Sequence, residues 1–180
     1  DVLGLHPLRS AHEPGRVVRA VLPWAKQAWV VRGEQVHEME RIDHAGVYEL
    51  VLDGEEDWFP YRLRGLGWHA TEPVEFDDPY RLPPVLDEER LFRFHHGQEV
   101  RAWEILGARR IVHDSFEGTL FSVWAPNAEA VSVIASFNGW DARTHPMRPR
   151  GSTGIWELFV PGVKAGDLYK FSIHTRQGQR

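Results

Sequence analysis

The feature that most constrains this chain is that it repeats itself once. Val18-Arg19-Ala20-Val21-Leu22-Pro23-Trp24-Ala25 resembles Phe121-Ser122-Val123-Trp124-Ala125-Pro126-Asn127-Ala128, with Pro23 and Pro126 103 residues apart. Farther on, Gly46-Val47-Tyr48-Glu49-Leu50-Val51 resembles Gly154-Ile155-Trp156-Glu157-Leu158-Phe159, and Tyr61-Arg62-Leu63 resembles Tyr169-Lys170-Phe171, both at an offset of 108. The second copy therefore carries five extra residues. They fall near Phe137-Asn138-Gly139-Trp140-Asp141, which has no counterpart in the first copy. A solenoid stacks many short repeats on their neighbours. Two long copies in 180 residues describe a tandem pair of small domains instead.

Each copy predicts β-structure. In the second, Phe121 and Val123 flank Ser122, and Val131 and Val133 flank Ser132. Trp156, Leu158 and Val160 share one face, as do Tyr169, Phe171 and Ile173. Apolar residues alternating in short runs mark half-buried strands. Pro, Gly, Asn and Ser clusters separate the runs, at Ala125-Pro126-Asn127, Asn138-Gly139, Gly151-Ser152-Thr153-Gly154 and Pro161-Gly162. The first copy places strands at 17–22, 28–31, 48–52 and 61–64. Short strands at close spacing favour β-sandwiches.

Between the copies, Asp77-Asp78-Pro79-Tyr80-Arg81-Leu82-Pro83-Pro84 is extended because proline breaks it. Residues 87–96 allow a turn or two of helix stopped by Gly97, and Val100, Trp103 and Leu106 share one side of a second short helix. The fold class is all-β: two tandem sandwiches at 1–78 and 113–180, joined by a linker with short helical turns at 79–112. Leu91, Phe92, Phe94 and Trp103 are too apolar for a free tether, so the linker is expected to pack against both copies.

Several chemistries are excluded or unsupported. The chain has no Cys, which rules out disulfides, thiolate metal sites and Cys nucleophiles and fits a cytoplasmic location. A net charge of −5 argues against a nucleic-acid partner. No apolar run reaches the length of a membrane span. Ten His residues do not assemble a metal signature: His37-Glu38-Met39-Glu40-Arg41 lacks the second His, and His95-His96 is a bare adjacency. No cofactor or metal site is expected. His113-Asp114-Ser115 holds the letters of a catalytic triad, but triads are built by folding, not adjacency. Gly65-Leu66-Gly67-Trp68-His69-Ala70 fits a dinucleotide-binding pattern, yet an alternating, proline-containing run follows where a helix is required, so a hairpin is expected. Glu55-Glu56-Asp57 reads as a solvated turn. The chain starts at Asp1 without Met and shows no secretory signal, which we read as a piece of a longer protein.

Eight Trp residues invite a binding role, since an indole face suits both a core and the C–H face of a sugar ring. Trp124 and Trp156 sit in strand patterns and are expected to be buried. Trp140 follows Asn138-Gly139 in a turn, where a large ring is least needed for a core. Lys170 lies between two inward aromatics and must face outward. A ring and a donor on one open sheet face would suit a polysaccharide.

The second copy resembles the family-48, glycogen-binding type of carbohydrate-binding module. The resemblance rests on Phe121-Ser122-Val123-Trp124-Ala125-Pro126-Asn127-Ala128, Phe137-Asn138-Gly139-Trp140-Asp141, Gly154-Ile155-Trp156-Glu157-Leu158 and Tyr169-Lys170-Phe171. The tandem arrangement, the opening Asp1-Val2-Leu3-Gly4-Leu5-His6-Pro7, Asp78-Pro79-Tyr80, Trp103-Glu104-Ile105-Leu106-Gly107-Ala108 and Arg143-Thr144-His145-Pro146-Met147-Arg148 are similar to the N-terminal region of bacterial 1,4-α-glucan (glycogen) branching enzymes. The resemblance implies immunoglobulin-like sandwiches ahead of a catalytic barrel that would cleave α-1,4 and form α-1,6 bonds. It implies α-glucan and that barrel as partners, no transferase activity in these residues, and no catalytic residue among them. It also implies a glucan site with Trp140 as stacking ring, Lys170 as hydroxyl donor and Asn138 in the turn. A second stacking Trp of such modules would fall within Thr175-Arg176-Gln177-Gly178-Gln179-Arg180, where there is no aromatic. The first copy lacks the Trp140 turn and has Arg62 in place of Lys170, and is expected to be structural or to bind by another surface. The competing expectations are packing modules that dock on the barrel without binding glucan, and the same modules from another α-amylase-type enzyme.

Overall fold

A computed structural model describes residues 3–8, 15–54 and 58–175 and the backbone of 178–179. The expected turn at 55–57 lies outside these residues. The chain divides into two compact units, 1–81 and 82–180.

The first unit contains β1 (Gly4–Pro7), β2 (Gly15–Val21), β3 (Ala25–Arg32), β4 (Gln35–Glu38), β5 (Glu40–Asp43), β6 (Val47–Asp53), β7 (Arg62–Gly67) and β8 (Val74–Phe76). They form two four-stranded antiparallel sheets, ordered β1-β2-β6-β5 and β4-β3-β7-β8. The alternation in β2, β3, β6 and β7 turns Val18, Ala20, Ala28, Val30, Tyr48 and Leu63 into one shared core, each large side chain contributing about 1.5–3 kcal/mol by leaving water. The Gly65–Gly67 stretch ends β7, and β8 pairs back on it with Gly65 opposite Val74. It is a hairpin, and no helix follows. Asp78 is buried and accepts from the Tyr61 hydroxyl at 2.5 Å and the Tyr80 amide at 2.9 Å, which fixes the end of this unit.

The second unit contains α1 (Glu88–His95), β9 (Gly107–His113), β10 (Phe116–Trp124), β11 (Ala128–Ala135), β12 (Arg148–Pro149), β13 (Ile155–Pro161), β14 (Tyr169–Thr175) and β15 (Gly178–Gln179). Its sheets are β12-β13-β10-β9 and β11-β14-β15. Both strand-rich units are β-sandwiches, the fold class expected.

The repeat is kept at the level of single bonds. Leu22 donates to the Gly46 carbonyl at 2.7 Å, and Ala125 donates to Gly154 at 2.8 Å. Ala25 donates to Leu22, and Ala128 to Ala125, both at 3.1 Å. Gly46 and Gly154 have positive φ, and a Cβ on either would lie under 3 Å from Pro23 or Pro126, so glycine is required at both places. Met39 donates to Ala28 and Met147 to Val131, and both side chains are buried. The chain's two methionines are thus equivalent across the copies.

Residues 82–106 belong to the second unit. Leu82, Leu86, Leu91 and Ile105 pack with Leu120, Ile155 and Phe159 on the outer face of β10 and β13. The helix starts at Asp87, whose side chain accepts from the Arg90 amide at 2.8 Å, a capping contact of about 1 kcal/mol. Glu157, 1% exposed, accepts from the successive amides of Val85 at 2.9 Å and Leu86 at 3.1 Å, and pairs with Arg150 at 2.8 Å. With the core on the other side, this layer leaves the middle of β10 and most of β13 buried on both faces.

That layer corrects one expectation. Trp124 is 54% exposed, because it points to the outer face beyond Ser122 and meets only the rim of the layer, edge-on to Phe94 at 6.2 Å. Trp156 is half-buried and donates its indole N–H to Ala125 at 3.1 Å. His113-Asp114-Ser115 is the start of a tight hairpin: Asp114 and Ser115 have φ of 48° and 69°, with His113 opposite Phe116, the primed-turn geometry.

Candidate functional site

The five extra residues of the second copy build a loop. In the first copy β3 and β4 are joined by residues 33 and 34 alone, with Arg32 opposite Gln35. In the second, β11 ends at Ala135 and the returning chain rejoins it at Pro146 opposite Ser132, with the Val133 amide donating to the His145 carbonyl at 3.0 Å. In the register of the repeat, the two-residue turn is replaced by residues 136–142.

Asn138 holds this loop together. Its Oδ1 accepts from the Ala135 amide at 2.8 Å, and its Nδ2 donates to the Val133 carbonyl at 2.9 Å and to His145 Nδ1 at 3.0 Å. The side chain is therefore committed to the turn. Burial of the His145 ring pushes its pKa down to about 4, leaving Nδ1 as an acceptor at neutral pH. Asp141 closes the far side. The Arg143 guanidinium donates to both its oxygens, at 2.9 and 2.7 Å, and holds the carboxyl below its usual range.

The loop lifts Trp140 into solvent. Gly139 and Trp140 have φ of 65° and 61°. Left-handed backbone costs a bulky residue about 1–2 kcal/mol, and the Trp140 amide donates to Ala135 at 3.0 Å in that conformation. The indole is 43% exposed. Lys170 lies on β14 opposite Ile134, on the face away from the core, with Nζ 5.9 Å from the Trp140 ring centroid, within cation–π range. Trp140 and Lys170 are brought together; Asn138 stands behind them. Of the stretch 175–180, where such modules would carry a second stacking Trp, the side chains of 176–180 lie outside the described residues. Among the described residues no group of His, Asp or Glu could hold a metal ion, and no helix is long and apolar enough to cross a membrane.

Residues 105–180 match the family model of carbohydrate-binding module 48 (isoamylase N-terminal domain), and residues 1–80 match that of the alpha-1,4-glucan branching enzyme GlgB N-terminal domain. The 1,4-alpha-glucan branching enzyme GlgB of Rhodococcus jostii (strain RHA1) is 44% identical over 182 residues. Along its whole length the chain is similar to the N-terminal region of a GlgB branching enzyme. The GlgB match covers 99% of this chain and 24% of the Rhodococcus enzyme, so the chain spans about a quarter of the length of that relative. Among solved structures, a pullulanase from Anoxybacillus sp. LM18-11 with maltotetraose is 16% identical, with a TM-score of 0.36 over 91% of this chain and 22% of that one. The type I pullulanase of Bacillus subtilis str. 168 with maltose is also 16% identical, with a TM-score of 0.35 over 99% of this chain and 24% of that one. The GlgB model meets the first sandwich and the carbohydrate-binding model meets the second, including the Trp140 loop and Lys170.

Proposed function

We propose that this chain is a non-catalytic, α-glucan-binding accessory region of a cytoplasmic 1,4-α-glucan branching enzyme, whose barrel cleaves α-1,4 and forms α-1,6 bonds in glycogen. The observation that carries the reading is the exposed Trp140 indole held beside Lys170 on the outer face of β14. The indole offers a flat apolar surface to the C–H face of a glucosyl ring, and the ammonium offers donors to its hydroxyls. Asn138 acts by positioning the loop. The match of residues 1–80 to the GlgB domain favours a branching enzyme over a debranching one. One ring supplies about 0.5–1.5 kcal/mol beyond burial, so millimolar affinity for a short glucan is expected. Glycogen, presenting many chain ends, would be held by avidity.

Affinity electrophoresis through glycogen tests this. The 180-residue chain should be retarded, and Trp140→Ala and Lys170→Ala should each migrate faster. Retardation equal to the parent in both variants would overturn the site.

A second reading is favoured by the exposure of Phe92, Val100 and Trp103 in the covering layer. In it the modules dock on the barrel and do not bind glucan. It predicts no retardation by glycogen for the parent chain.

A further inference from the structure

The first module carries an indole–cation pair of its own, outside the residues that match the carbohydrate-binding model. Trp68 stands in the β7–β8 hairpin and is 55% exposed. The Arg41 guanidinium lies 5.6 Å from its ring centroid. Arg41 belongs to β5, the edge strand of the opposite sheet, where it faces Tyr48. It donates to the His44 carbonyl at 3.0 Å, which fixes its head group. The pair thus joins the two sheets of the sandwich at one end, and Trp68 takes no part in the core cluster.

The corresponding outer sheet face is closed to this role. Arg62, which matches Lys170 in the repeat, is paired with Glu75 at 3.4 Å and Asp77 at 3.6 Å. Trp68, one of the exposed rings of the first module, stands instead at the sandwich end.

The surroundings fit a sugar. His69, Thr71 and Glu72 follow Trp68 in its loop, and Asp43 and His44 flank the Arg41 side; all are exposed. A flat apolar ring rimmed by donors and acceptors matches a pyranose, which has a C–H face and a rim of hydroxyls. We propose that Trp68 and Arg41 form a second α-glucan contact, independent of Trp140 and Lys170. The identity of the ligand rests on the proposed function above; the geometry does not.

The test is a titration of the 15N-labelled 180-residue chain with maltoheptaose, following the indole N–H resonances. Trp68→Phe and Trp140→Phe identify the two peaks. The Trp68 peak should shift in the unaltered chain, and should shift with the same midpoint when Trp140→Ala and Lys170→Ala are both present. In that background Trp68→Phe should weaken the residual binding roughly three- to tenfold. A stationary Trp68 peak beside a moving Trp140 peak overturns this inference and leaves the Trp140 site standing. A moving Trp68 peak beside a stationary Trp140 peak supports this inference and overturns that site. Two stationary peaks overturn both. The readout in the unaltered chain does not depend on how any variant folds.

Discussion

At Trp140 the backbone conformation separates a structural role from a binding one. A ring kept for packing would sit in relaxed backbone and be covered; this one is exposed and held at φ 61°. Glycine adopts that conformation without the Cβ clash. Trp140→Gly should therefore keep or raise the melting temperature, the gain being up to about 1 kcal/mol at a compatible φ, while glucan retardation is lost. A clear fall in melting temperature would mean that the indole serves the core. His145 supplies a pH test. Its folded pKa is depressed to about 4 from an ordinary 6.5, so the unfolded chain binds the proton more readily. The stability that neutral His145 contributes is complete above about 6.5 and declines as pH falls towards 4. Burial also lowers His6 in the first unit, in the same direction, so the residue-specific check is the His145 ring titration by NMR. A midpoint near 4 is expected; a midpoint near 6.5 would contradict a buried acceptor beneath the loop.

Among the elements, strands were legible wherever one face is buried. The alternating runs of β2, β6, β10, β11, β13 and β14 all stand close to where the pattern puts them. The hairpin character of Gly65–Gly67 was legible too, because Pro73 and the alternation after it leave no room for a helix. Double burial was not legible. Ser122 and Glu157 read as solvent-facing polar partners of apolar neighbours, yet both are buried under residues 82–106. A buried carboxylate is tolerated because Val85, Leu86 and Arg150 satisfy it. Glu157→Ala should leave two buried amides unpaired and Arg150 with Glu88 as its remaining carboxylate, and cost roughly 3–5 kcal/mol. Amide hydrogen exchange at Val85 and Leu86 should accelerate before that of the β10–β13 ladder. Unchanged protection there would mean that the layer is held by its leucines alone. The equivalence of Met39 and Met147 could have been read from the 108-residue offset, and it marks where the returning strand leaves one sheet for the other.

For the molecule as a whole, one duplication accounts for both sandwiches, and their difference lies in what each copy adds. The first keeps a two-residue turn and closes its outer face with Arg62, Arg64, Glu75 and Asp77. The second expands that turn, ties it down through Asn138 and presents Trp140 over Lys170. Sequence alone placed the expansion and its exposed ring, because a large aromatic in an Asn-Gly turn has no core to serve. It left unseen the Asn138–His145 scaffold, which depends on a returning strand far from the turn in register. The most direct test of the account is a crystal structure of the 180-residue chain with maltoheptaose. A glucosyl ring stacked on the Trp140 indole, with Lys170 Nζ within hydrogen-bonding distance of its hydroxyls, is the predicted result. A bound glucan that leaves both Trp140 and Lys170 bare would contradict it.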